Sequence, residues 1–158
     1  NDFGPALKAL GEKIVASLGG QCIGSPLLLE NGSLACSKGL TYGSGKPCTS
    51  SCLDQVDCII ESVVGRNTAN EQRTNVEKCP KQFFDNPTLA DCGASCPCWR
   101  IVPRPNECKP AELNTTPYGL QIMRVGDAPK GTEAIANCKA AAFRWTSPEL
   151  DKLEQCTQ

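Results

Sequence analysis

Sulfur is the reactive element that this sequence supplies in quantity. Twelve cysteines stand among 158 residues, with no histidine at all. They are Cys22, Cys36, Cys48, Cys52, Cys58, Cys79, Cys92, Cys96, Cys98, Cys108, Cys138 and Cys156. Three chemistries compete for them. Two C-x-x-x-C pairs, Cys48/Cys52 and Cys92/Cys96, could in geometry supply four thiolates to zinc, but structural zinc knuckles are most often C-x-x-C and that spacing is missing. Cys96-Pro97-Cys98 could shuttle electrons if a helix N-terminus or a cation depressed a thiol pKa. Arg100 and Arg104 are near in sequence, yet a proline-locked pair entering a strand reads as framework. The remaining chemistry is complete pairing. An even count of twelve permits six bridges, and a chain with six bridges belongs in an oxidising compartment outside the cytosol. That reading is favoured for all twelve. It predicts no metal and no cofactor, and it leaves connectivity open, since spacing does not encode it.

The absent imidazole narrows catalysis further. Ser-His-Asp and Cys-His arrangements are excluded, and the commonest general base near neutral pH is missing. Carboxylates remain: Asp54, Asp57, Glu61, Asp85 and Asp91. The first three fall at i, i+3 and i+7, a spacing that a solvated helix face also requires. No phosphate-cradling glycine loop, dinucleotide fingerprint or calcium loop occurs, so an enzyme is not expected. Candidate partner contacts are Trp99, Arg100, Arg104 and Tyr118, because Trp and Arg are enriched at binding hot spots. In a chain so poor in aromatics Trp99 weighs toward the core, and Trp145, following Phe143 and Arg144, carries the same ambiguity. Asn31-Gly32-Ser33 and Asn114-Thr115-Thr116 are sequons in predicted loops, open to glycosylation at Asn31 and Asn114 in a eukaryotic secretory route. Val125-Gly126-Asp127, after Arg124, looks like a loop-tip adhesive tripeptide, although a plain turn accounts for it.

Composition bounds the scaffold that must position these groups. At this length a single domain, 1–158, buries roughly 70% of the surface of its unfolded chain. Only 5% of residues are aromatic, with Gly 14 and Pro 12, so the apolar interior is thin and cross-links must contribute much of the stability, about 2–5 kcal/mol each. Basic and acidic residues number 16 and 17, for a net charge of −1. With the charges interspersed, no nucleic-acid stripe is present, and no apolar run is long enough to span a membrane as a helix. The chain opens without a charged n-region or apolar h-region, which reads as a mature or trimmed form.

Periodicity predicts an α+β fold: an amphipathic N-terminal helix, two to three further short helices and a small antiparallel sheet, cross-linked by disulfides. Residues 1–20 form the helix and 21–158 a cysteine-framed body. Phe3, Leu7, Leu10, Ile14 and Leu18 make the helix stripe, capped by Asp2 and ended by Gly19-Gly20. Residues 21–49 read as loop with one hairpin around Asn31-Gly32. A second helix is expected over 51–64 (Leu53, Val56, Ile59, Ile60, Val63, Val64), a third over 133–143 and a short fourth from Ser147-Pro148 to Cys156. Residues 66–81 read as loop or frayed helix, and Asn86-Pro87 as the start of a helical turn. Strands are expected at 98–104 and 118–125, the first at an edge because Pro103, Pro105 and Pro110 interrupt the ribbon.

Residues 3–18, FGPALKALGEKIVASL, resemble the stretch that follows the membrane anchor in bacterial type IVb, Tad-type pilins. The resemblance covers about a tenth of the chain and implies a filament subunit whose apolar stripe packs against neighbouring copies. Twelve cysteines depart from the one or two bridges usual in that family, and it supplies no catalytic residue. The residues themselves favour a secreted, non-enzymatic, effector- or adhesin-like protein that binds a protein or cell-surface partner, in the medium or on an appendage. A pilin-like subunit binding copies of itself through Phe3, Leu7, Leu10, Ile14 and Leu18 is the alternative. A carboxylate- or thiol-based enzyme comes third.

Overall fold

Alternation rather than helical periodicity governs how the apolar residues are used. The computed structural model describes residues 22–157 with their side chains and residues 10–17 through their backbone. Within these bounds the strands are β1 (Leu10–Ser17), β2 (Thr41–Tyr42), β3 (Lys46–Pro47), β4 (Cys58–Val64), β5 (Gln72–Lys78), β6 (Cys98–Pro103), β7 (Tyr118–Met123) and β8 (Thr132–Ala140). Two four-residue helices, α1 (Gln82–Asp85) and α2 (Pro110–Leu113), and single 3₁₀ turns at Leu53–Gln55, Gly93–Ser95 and Pro148–Lys152 complete the described elements. The strands β1-β8-β4-β5-β6-β7 form one curled sheet, antiparallel except where β5 meets β6. β2 and β3 form a separate hairpin.

The predicted helical framework is therefore corrected. Residues 10–17, the described part of the expected N-terminal helix, are a strand whose backbone pairs with β8 from Leu10↔Ala140 to Ser17↔Glu133. Leu10 and Ile14 of the supposed assembly face stand opposite Ala140 and Ala136, while Phe3, Leu7 and Leu18 lie outside the described residues. In the expected second helix, a 3₁₀ turn gives way to β4. Five of its six stripe residues are β-branched, four of them, Ile59, Ile60, Val63 and Val64, within β4, stiff at χ1 and suited to a pleated surface. Ile59 is 62% exposed and Ile60 1%, so these consecutive residues face opposite sides of the sheet, as in any strand. The third helix is β8. Thr132, Ala134, Ala136, Cys138 and Ala140 are all buried, a period of two. The helix preference of alanine, a few tenths of a kcal/mol per residue, yields to ladders on both sides, to β1 and β4. The fourth helix is only the Pro148–Lys152 turn, capped by Ser147 Oγ accepting from the Glu149 N–H. Residues 72–78 of the expected loop form β5, mostly exposed.

Both expected strands near residues 100 and 120 are present as β6 and β7. β6 is interior rather than an edge. Its proline, Pro103, is tolerated because it is the last residue of the strand. The Asn31-Gly32 turn also forms, with the Gly32 N–H donating to the Leu29 carbonyl and Leu28 bridging Leu34.

The core lies between the sheet and two loop segments, 22–57 and 141–157. Ile60, Ile101, Trp99 and Leu120 come from the sheet, and Leu27, Leu34, Val56 and Leu150 from the loops. Isolated bridges such as Leu27↔Ala140 and Leu34↔Gln155 carry backbone pairing into the loops.

All twelve cysteines are bonded, in six disulfides. Cys58–Cys138 joins directly opposed residues of β4 and β8. Cys79–Cys98 ties the end of β5 to the start of β6, and Cys92–Cys96 closes the Gly93–Ser95 turn. The other three, Cys22–Cys108, Cys36–Cys48 and Cys52–Cys156, hold loops. Six bridges place the folded chain in an oxidising compartment.

Candidate functional site

Those three disulfides tie down segments that build one cleft. Its rim is the β2–β3 hairpin, whose turn Gly43-Ser44-Gly45 requires left-handed backbone at both glycines. A Cβ on Gly43 would collide with Asp151 Oδ1. The close approach is used: the Ser44 hydroxyl donates to the Asp151 carboxylate, and Lys46 Nζ donates to the Asp151 carbonyl at 3.1 Å. Gln155 completes the clamp. Its Nε2 donates to Tyr42 Oη at 3.1 Å and to the Pro47 carbonyl at 2.7 Å, while its Oε1 accepts from the Thr49 N–H at 2.9 Å. The hairpin is thus fixed to the C-terminal segment, which Cys52–Cys156 ties down.

The floor is aromatic. Trp145 stands between Tyr42 and Tyr118, with ring centroids at 5.8 and 5.3 Å. Its Nε1 donates to the Thr41 carbonyl at 2.9 Å. Tyr118 Oη accepts from the Ser37 N–H at 3.0 Å, and burial pushes its pKa up, so the hydroxyl stays protonated. The far wall comes from the 105–117 loop, held by Cys22–Cys108, and brings Pro105, Pro110, Ala111 and Pro117. The cleft holds about 290 Å3 and is open to solvent, and no ionisable group but the Tyr42 phenol lines it. Such a surface offers apolar contact and backbone hydrogen bonds, the chemistry of recognition.

Of the predicted contact residues, Trp99, Arg100 and Tyr118 are buried, and only Tyr118 among them lies against the cleft, beneath its floor. Trp99 is 2% exposed. It packs edge-on against Phe84 and takes the Lys78 ammonium 5.3 Å from its ring centroid. Burial lowers the Lys78 pKa, and its Nζ donates to the Asp54 and Val56 carbonyls. Arg100 is also 2% exposed. Its guanidinium donates to the Phe83, Asn86 and Pro87 carbonyls and to Gln121 Oε1, so it fastens the end of α1 onto β6. Tyr118 is fully buried beneath the cleft. Arg104 is half-buried on the 105–117 side, where its N–H donates to the Pro117 carbonyl.

The carboxylates disperse because the helix that would have aligned them does not exist. Glu61 pairs with Arg73 at 3.4 Å. Asp54 and Asp85 line one cavity of about 280 Å3 with Ser37 and Phe84, and Asp85 pairs there with Lys81 at 2.8 Å. Of the sequons, Asn31 is exposed on its turn, its Oδ1 accepting from the Ser33 N–H. Asn114 is exposed in left-handed backbone, whereas the Thr116 hydroxyl of its sequon is buried and donates to the Ile23 carbonyl. The Arg124–Asp127 turn exposes Val125, but Arg124 turns inward and donates to Ser62 Oγ.

Compared with protein families, curated proteins and solved structures, the chain has no significant match.

No helix among the described residues is long and apolar enough to cross a membrane. What sequence reading missed was the convergence of Tyr42, Trp145 and the prolines. The prolines were visible as interruptions of a ribbon, but nothing local joins 42 to 145.

Proposed function

We propose that this is a secreted, non-enzymatic binding protein that takes an apolar side chain of a protein partner into the Tyr42–Trp145–proline cleft. The observation that carries the reading is the cleft itself: an aromatic floor, proline walls and three disulfides converging on its loops. A recess framed in this way is ordered before the partner arrives, so binding does not have to order it. Its volume lies at the small end of ligand pockets, which span roughly 300–1,000 Å3. That suits a single anchor residue of the kind that dominates interface energetics. Six disulfides support extracellular action. The filament reading loses its main support, since the described part of its helix is a strand.

Selection of displayed peptides on the folded protein, with Ala111→Arg as counter-screen, tests the proposal. Ala111 is exposed at the rim, so the arginine obstructs the cleft without entering the core. Enriched peptides should carry an apolar anchor and bind the variant at least about tenfold more weakly, a loss of roughly 1.4 kcal/mol. Peptides that bind both forms equally would place recognition elsewhere.

A further inference from the structure

One of the six disulfides is placed unlike the rest. The other five join residues 12 to 104 positions apart, and the surrounding fold also holds their two ends. Cys58 and Cys138 sit opposite each other in a ladder, the Cys79 N–H donates to the Trp99 carbonyl beside Cys98, and the Cys156 N–H donates to the Leu34 carbonyl. Cys92–Cys96 spans four positions. The hydrogen bonds described across its turn are local: the Ser95 N–H to the Cys92 carbonyl at 2.9 Å, the Cys96 N–H to the Gly93 carbonyl at 3.3 Å and the Gly93 N–H to Asp91 Oδ1 at 2.8 Å. Closing so short a loop removes the least chain entropy of the six.

The turn is also open to the medium. Asp91, Gly93, Ala94 and Pro97 are exposed and Cys96 is half-buried, whereas Cys92 is 4% exposed and packs on the core. Cys96 is therefore the end that an external thiol can approach. Two fixed points bracket the segment. Before it, Arg100 holds the Phe83, Asn86 and Pro87 carbonyls. After it, Cys79–Cys98 ties down the start of β6. Cutting Cys92–Cys96 releases the residues between these points and loosens neither. A reduced pair elsewhere stays adjacent because flanking structure holds it, and so recloses. In this turn the bridge itself is the main restraint, which makes it the one that reduction can hold open.

We infer that Cys92–Cys96 is a redox-sensitive device, opened in the folded protein by a dithiol reductant while the other five bridges persist. A thiolate of the reductant attacks Cys96 Sγ, the bond to Cys92 breaks, and Cys92 leaves as a thiolate that takes up a proton. The second thiol of the reductant then displaces Cys96 from the mixed disulfide. The bridge has gained two electrons and two protons, and the reductant is left as its own disulfide. A closed turn becomes an open loop carrying two thiols. In Cys96-Pro97-Cys98, only Cys96 takes part, and Cys98 remains framework. The device is separate from the aromatic cleft, whose segments are tied by other bridges, and stands or falls independently of it.

The test is graded reduction of the native full chain with dithiothreitol, quenched by alkylation and read by peptide mass mapping. Cys92 and Cys96 should be labelled together, at least about tenfold faster than any other cysteine. The fluorescence of the buried Trp99 and Trp145 should not change as they are labelled, and amide shifts in isotope-labelled protein should be confined to residues 90–97. The double variant Cys92→Ser, Cys96→Ser should fold and lose the fast phase. Another pair opening first, all six opening together, tryptophan exposure during the fast phase, or failure of the double variant to fold overturns the inference. Label on Cys79 together with Cys92 also overturns it, because electrons would then be passing into Cys79–Cys98.

Discussion

The two halves of the core are held by different forces. On the sheet side, disulfides duplicate what hydrogen bonds already provide: Cys58–Cys138 joins residues opposed in a ladder running from Cys58 to Val64. On the loop side, Cys22–Cys108 and Cys52–Cys156 connect segments joined by no named ladder among the described residues, Cys36–Cys48 closes the segment that carries the short β2–β3 hairpin, and the cleft is built on these segments. Irregular backbone can be shaped to a ligand because no ladder dictates its course, but it then needs another source of rigidity. Here that source is covalent.

The largest effects should come from cutting one bridge on each side. Cys52–Cys156 and Cys58–Cys138 have sequence separations of 104 and 80, so chain entropy assigns each about 4.5–5 kcal/mol. Paired serine substitutions should lower denaturant midpoints by similar amounts, yet only loss of Cys52–Cys156 should abolish peptide binding at the cleft. If removing Cys58–Cys138 abolishes binding as completely while the protein stays folded, the two sides are not mechanically distinct.

A comparison of the tryptophans comes next. Trp145→Ala and Trp99→Ala each empty a buried aromatic site and should cost about 3–5 kcal/mol by chemical denaturation. Trp145→Phe keeps most of the volume and loses the Nε1 hydrogen bond to Thr41, about 1 kcal/mol. It should weaken peptide binding, and Trp99→Phe should leave binding unchanged. The reverse order would move the site to the sheet side.

The smallest effect is electrostatic and belongs to the β4–β5 turn. The Asn67 N–H, and then Arg73, hold the Glu71 carboxyl below its ordinary value of 4.5. A depressed carboxyl stabilises the fold above its unfolded pKa, and the contribution fades as pH falls through the folded value. Thermal melts of Glu71→Gln and the parent should differ slightly at neutral pH and converge in acid. A gap that persists in acid would assign the turn's stability to backbone geometry rather than to charge.

Residue type told more than residue period in this chain. The alternation at 98–104 and 118–125 was legible as strand chemistry and the Asn31-Gly32 turn could be read locally, whereas the β-branched run at 58–64 was read as part of a helix. The helical stripes at 51–64 and 133–143 misled because apolar residues three and four apart also occur in a strand buried in part on both faces. Val63 and Ile60 are both buried although they point to opposite sides of β4. Alanine at 134, 136 and 140 carried a helix preference too weak to resist neighbouring ladders.

From the amino acids alone came the sulfur framework, the oxidising compartment it requires and the lack of imidazole chemistry. These depend on residue identity and count. The pairing of cysteines up to 104 positions apart and the meeting of Tyr42 with Trp145 were settled only by the folded chain. Each depends on which strands find one another, and that choice is made by burial and hydrogen bonding summed over the whole molecule, which no local window of sequence contains.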